Sequence, residues 1–172
     1  MKIRILMRHI PRCLYLVCAL VLFPVSGHGR MDSYFGVGAG VYNVMDADAG
    51  IYGVIDYRPP LGIYGIGPWI SLSATEELGG CFSGGILRDF FLTDSIVLTP
   101  SFGIGIYNRA DDEVALGHPV EFRSALKLSY ELGENRSRIG VRFGHVSNAG
   151  LGETNPGSEF LSLIYSIHLG GE

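Results

Sequence analysis

Sulfur is almost missing from the part of this chain that can fold. Of three cysteines, Cys13 and Cys18 sit in an apolar N-terminal run and Cys81 stands alone downstream. An intramolecular disulfide is therefore excluded, and with it a disulfide-stapled exported domain. Charge is also sparse: charged residues make up 17% of the sequence, and 13 basic side chains face 17 acidic ones. That balance leaves no basic stripe for a nucleic acid to read. Beyond the N-terminal segment no apolar run approaches the roughly 18 uninterrupted residues of a transmembrane helix, so residence in a membrane would require strands. What the sequence has instead is glycine, 25 residues of it, within a chain that is 47% hydrophobic. This mix is richer in glycine and poorer in charge than an average soluble domain. It suits one β domain of 172 residues with a lipid-facing surface.

The first residues read as an address. Lys2, Arg4, Arg8 and Arg12 precede an apolar run from Cys13 to Val25, and small residues follow at Ser26-Gly27 and Gly29. The run is shorter than the ~20 residues a spanning helix needs, which favours a cleaved signal over a retained anchor. The expected division is a signal peptide over residues 1–29 and a single exported domain over 30–172. Tyr15-Leu16-Val17 lack the small residue that precedes a lipidated bacterial cysteine, so Cys18 is not expected to carry lipid.

From residue 33 the hydrophobic pattern has period two, the signature of strands with two unlike faces. Eight strands are predicted. The first, Tyr34 to Asn43, sets Phe35, Val37, Ala39 and Val41 against three alternating glycines. The second, Ala49 to Arg58, stops at Pro59-Pro60, which cannot continue a hydrogen-bonded ladder. The third spans about Ile66 to Thr75 and the fourth about Leu78 to Phe90. The fifth carries Ile96, Leu98, Phe102, Ile104 and Ile106 on one face. In the sixth, Phe122, Leu126, Leu128, Tyr130 and Leu132 alternate with Glu121, Arg123, Lys127, Ser129 and Glu131. The seventh, Arg138 to Ser147, turns Ile139, Val141 and Phe143 outward, and the eighth, Ser158 to Leu169, does so with Leu161, Leu163, Tyr165 and Ile167.

A soluble sandwich or lipocalin-like barrel would share this alternation with the faces reversed. The lumen-type face here combines glycines with opposite charges, which would fill a narrow eight-stranded interior. The fold class expected is all-β, an eight-stranded antiparallel transmembrane β-barrel of outer-membrane type, placing the protein in a bacterial outer membrane.

Chemistry concentrates in Gly144-His145-Val146-Ser147-Asn148-Ala149-Gly150, followed by Glu159. His145 and Ser147 share the outward register of Ile139, Val141 and Phe143, and Glu159 shares that of Leu161 and Leu163. The connecting loop is rich in Gly, Asn and Pro, so the two strands can pair and bring Glu159 near His145. A histidine and a carboxylate facing lipid are costly unless they pair or act. The set is chemically complete for ester hydrolysis: Ser147 as nucleophile, His145 as base, Glu159 orienting the imidazole. Asn148, Asn155 and backbone amides around Gly150 are the available oxyanion donors. The bland reading is a polar strand end at headgroup level. Other features carry less. Gly36-x-Gly38-x-Gly40 alternates within a strand and is no dinucleotide fingerprint. His118 and His168 lack metal-ligand spacing. Asp111, Asp112 and Glu113 read as a solvated loop that could meet divalent cations.

The segment Gly144 to Leu151, with Asn155-Pro156-Gly157, Glu159 and the upstream Pro119-Val120-Glu121-Phe122-Arg123-Ser124-Ala125, resembles the lipid A 3-O-deacylases of the outer membrane, the PagL family. Strand layout and length are similar over the whole domain, and the specific motifs over about its last fifty residues. The resemblance implies hydrolysis of the ester-linked 3-position acyl chain of lipid A, with Ser147, His145 and Glu159 as the triad. It implies Asn155 and the Gly150 amide at the oxyanion hole, no metal or cofactor, and lipopolysaccharide as the partner. One departure is the ending Ile167-His168-Leu169-Gly170-Gly171-Glu172, where outer-membrane barrels commonly finish on an aromatic residue. It implies a weaker assembly signal or a tail beyond the last strand. The alternatives are a noncatalytic structural or adhesion barrel, and an esterase acting on phospholipid.

Overall fold

The computed structural model describes residues 32–76, 79–108 and 116–171. The signal expected over 1–29 and the loop carboxylates Asp111, Asp112 and Glu113 lie outside the described residues. The strands are β1 (Asp32–Tyr42), β2 (Gly50–Arg58), β3 (Ile66–Thr75), β4 (Gly80–Arg88), β5 (Phe90–Phe91), β6 (Ile96–Asn108), β7 (Val120–Leu132), β8 (Ser137–Ser147) and β9 (Ser158–Gly171). Their order is β4-β3-β2-β1-β9-β8-β7-β6, and β4 pairs again with β6, so the sheet closes on itself. All pairings are antiparallel. Each long strand thus has a neighbour on both sides, as lipid demands, because lipid cannot satisfy a free edge.

The two-residue β5 continues β4. Leu87 faces Ser101 and Phe90 faces Leu98 on the same β6, in one unbroken register. The ladder lapses between them opposite Pro100, which has no amide hydrogen to donate. The fourth predicted strand is therefore present but divided. β2 ends at Arg58, immediately before Pro59-Pro60, as predicted.

The two faces fall where their periodicity places them. Leu126, Leu128 and Tyr130 on β7, Ile139, Val141 and Phe143 on β8, and Leu161, Leu163, Tyr165 and Ile167 on β9 are exposed on the outside. Glu121, Ser129, Glu131, Arg138 and Arg142 are buried inside. The apolar surface turned outward is what distinguishes this barrel from a soluble one.

The lumen is layered. Toward the end opposite the described termini, Tyr52, Val54, Ala125, Phe160 and Ile164 pack together with Tyr42 and Val146 against them. Phe160 meets Tyr52 edge to face, with ring centroids 6.1 Å apart. Gly144 is required there, because a Cβ would run into the Phe160 ring. Further along the axis the filling becomes ionic. Asp89 accepts hydrogen bonds from Arg58 and Arg138, each at 2.7 Å, and from Thr99 at 2.6 Å. Arg138 also donates to Glu131, and Arg136 pairs with Asp32. Arg142 and Asp56 pair at 2.6 Å between the two layers.

Buried charges are tolerated only when paired and hydrogen-bonded, so Asp89 is the member of this layer with most to lose. Asp89→Ala is expected to destabilise the barrel by about 3–5 kcal/mol, the usual cost of breaking a buried pair from one side. Urea unfolding in detergent micelles measures it; an unchanged midpoint would mean that water replaces the carboxylate without penalty.

Candidate active site

The β8 and β9 hairpin sets His145 directly opposite Glu159 and Val146 opposite Ser158. Alternation then puts His145 and Glu159 on the outer face while Val146, Ser158 and Phe160 turn into the lumen. His145 Nδ1 lies 3.2 Å from Glu159 Oε1, and the two side chains are only 17% and 18% exposed. They face outward yet are sunk between their neighbours. A carboxylate can only accept, so Nδ1 carries the hydrogen and Nε2 keeps its lone pair. Ser147 follows two residues later on the same face, opposite Phe122 of β7. Phe122 in turn stacks on Phe102 of β6, with centroids 6.4 Å apart. Ser147 and His145 stand side by side along the strand, and no hydrogen bond joins them in the structure. The structure therefore unites His145 with Glu159 and sets Ser147 next to them.

Gly157, whose part sequence reasoning missed, bounds the imidazole on its other side. Its φ is 69°, and a Cβ built on it would lie 2.6 Å from Cε1 of His145 and 3.2 Å from Nε2. The available signal was the Asn155-Pro156-Gly157 run, since a glycine after such a turn commonly takes positive φ.

The loop after Ser147 is organised by Asn148, which is wholly buried. Its backbone carbonyl accepts from Leu151 N at 3.0 Å, closing a turn whose central residues, Ala149 and Gly150, have φ of 53° and 85°. Positive φ at both positions makes it a type I′ turn. Asn148 Oδ1 accepts from Gly150 N at 2.8 Å, an Asx turn within the first. Asn148 Nδ2 donates to Leu116 O at 2.8 Å and Thr154 O at 2.7 Å. Asn148 N donates to Asn155 Oδ1 at 3.0 Å.

Of the three residues expected around an oxyanion, Asn148 has both amide hydrogens taken by carbonyls and Gly150 has its N–H taken by Asn148. Asn155, held by its oxygen, has Nδ2 without a partner among the described residues. The same network ties the β8–β9 loop to the segment before β7. A Cβ on Gly117 would strike Thr154 O, and one on Gly152 would strike Gly117 O.

A closed ring of strands with an apolar exterior, a polar and ionic interior and a titratable pair on the outer wall defines a transmembrane β-barrel of outer-membrane type. The family model for lipid A 3-O-deacylase (PagL) matches residues 65–168, more than half of the sequence, and the chain belongs to that family. Among solved structures the chain resembles the crystal structure of the outer membrane enzyme PagL, with a TM-score of 0.61 and 20% identity, covering 78% of this chain and 98% of that one. It also resembles a de novo designed transmembrane β-barrel, with a TM-score of 0.54 and 8% identity, covering 81% and 97%. At such identities these likenesses establish the fold. No curated protein matches the sequence.

Asn148→Ala removes three side-chain bonds at once and leaves two carbonyls to find water, at about 1–3 kcal/mol for each group left buried and unmet. The expected result is faster amide hydrogen exchange across residues 148–157 with the strands still protected. Exchange at the wild-type rate would show that these bonds do not hold the loop.

Proposed function

We propose that this protein hydrolyses the ester-linked 3-O-acyl chain of lipid A, using Ser147, His145 and Glu159 on the lipid-facing exterior of the barrel. Family membership supports the substrate and the bond. The observation that carries the residue assignment is the His145 Nδ1 to Glu159 Oε1 hydrogen bond on an otherwise apolar outer wall, with a serine hydroxyl next along the same face. A histidine and a carboxylate placed there earn their cost through function.

In this reading Ser147 Oγ attacks the ester carbonyl while His145 Nε2 takes its proton. The tetrahedral oxyanion is met by Nδ2 of Asn155, whose Oδ1 is anchored on Asn148 N. As the intermediate collapses, Nε2 returns the proton to the departing 3-hydroxyl oxygen of the sugar, leaving an acyl chain on Ser147. Water activated by the same nitrogen then releases the fatty acid and restores the serine. Glu159 stays ionised, fixing the tautomer and stabilising the imidazolium. Asn148 holds the loop, and the Gly150 amide would join the oxyanion hole only after leaving Asn148 Oδ1. The acyl chain lies along outward side chains beside the site, such as Phe122, Phe143 and Leu161. Export is assigned to residues 1–29, leaving 30–172 as the enzyme, a carboxylic ester hydrolase in the outer membrane whose substrate arrives by lateral diffusion.

Ser147→Ala is expected to abolish loss of the 3-hydroxyacyl chain in lipid A mass spectra while the barrel keeps its heat-modifiable mobility. Undiminished deacylation would overturn the assignment. Glu159→Gln should cut the rate by up to about 10⁴-fold by favouring the wrong tautomer. Gly157→Ala, at φ 69° and against the imidazole, should cost about 1–2 kcal/mol of stability in strained backbone. Displacing His145 should also lower turnover by roughly 10²-fold; turnover at the wild-type rate would remove Gly157 from the site.

A further inference from the structure

Deep in the lumen, between the ionic layer and the aromatic layer, lies a cavity of about 60 Å³. Its wall includes Asp56, Trp69, Arg123, Lys127 and Arg142, with Arg58 and Arg138 at the edge nearer the described termini. The cations are unequally served. Arg58 and Arg138 share Asp89, and Arg142 uses Nη1 on Asp56. Arg123 and Lys127 touch no carboxylate among the described residues. Arg123 lies over the rings of Trp69 at 4.9 Å and Phe160 at 5.0 Å, and reaches only the Ser83 hydroxyl, at 3.5 Å. Lys127 Nζ reaches only Ser166 Oγ, also at 3.5 Å.

A second observation is independent of that charge count. Arg123 Nε and both Nε and Nη2 of Arg142 are buried donors with no acceptor, and Arg142 as a whole is 6% exposed. Buried donors of charged groups rarely go unmet. Water would accept from them but would leave two positive charges uncompensated in a low-dielectric interior. A water needs about 10–15 Å³ of such volume, so the cavity has room for a monatomic anion and a few waters but not for an organic acid.

We propose that this cavity is a binding site for a small inorganic anion, a halide, held by Arg123, Lys127 and Arg142. The anion adds negative charge at the level where β7 and β8 carry these three cations against one lining carboxylate, Asp56. Asp56, on the same wall, gives only Oδ2 to Arg142 and leaves Oδ1 buried without a hydrogen-bond donor among the described residues, so its own negative charge limits the site to a single anion held on the Arg123 and Lys127 side.

The test uses the whole barrel, purified and crystallised with bromide in place of chloride. Anomalous diffraction is expected to show a bromide peak inside this cavity, and Lys127→Met to lose it while retaining heat-modifiable folding. A wild-type cavity containing water only, or a peak that persists undiminished in Lys127→Met, would overturn the proposal. The wild-type protein offers a second measurement should the variant fail to fold. Its thermal midpoint in detergent should rise with bromide concentration relative to gluconate at matched ionic strength, since gluconate is too large to enter. Equal midpoints in the two salts would also overturn it.

Discussion

Closure of the sheet is the constraint on which everything else in this molecule rests. Once β4 pairs with β6 and β1 with β9, every long strand has two neighbours and every residue points either to lipid or to a narrow lumen. That division explains why apolar side chains occupy the outside and why charges must neutralise one another within. It also explains the glycines: Gly144 makes room for the Phe160 ring, so an aromatic layer can sit behind the strand segment that bears His145.

The candidate site follows from the same constraint. His145 and Glu159 meet because antiparallel pairing of β8 and β9 places them on one rung, and they meet on the outside because of where their strands begin the alternation. The loop that joins these strands is not slack. Asn148 spends all its polar groups on it, holding the turn next to Ser147, the oxygen of Asn155 and the segment before β7. Its geometry resembles a fixture more than a lid, which suits the proposed reaction, in which substrate would arrive along the wall in the plane of the membrane.

The interior has its own logic. One carboxylate, Asp89, accepts from two guanidinium groups and a hydroxyl, while Arg123 lies over the rings of Trp69 and Phe160. One aromatic layer and one ionic layer succeed each other along the axis, and the candidate site lies on the outer surface at the aromatic level. Forces that hold the barrel together are therefore largely separate from the residues proposed to act on lipid.

Much was legible from residue order because strands repeat every two residues. The eight strands, their two unlike faces and the common face of His145, Ser147 and Glu159 follow from that period, while the outward face is read from the glycines and opposite charges on the other one. The signal expected over 1–29 and the loop around Asp111 are read by composition and lie outside the described residues. Other features depend on which distant residues closure brings together. The convergence of Arg58 and Arg138 on Asp89 joins positions on β2, on β8 and between β4 and β5, and no local pattern announces it. The same holds for Gly157 against the imidazole, and for Asn148, whose amide type suggested a donor to substrate until burial showed its hydrogens already taken. Sequence by itself determined which residues share a face, since alternation is a local property of extended backbone. Only tertiary structure decided the partners, because a side chain's hydrogen bonds depend on which strand and which loop the closed ring sets beside it.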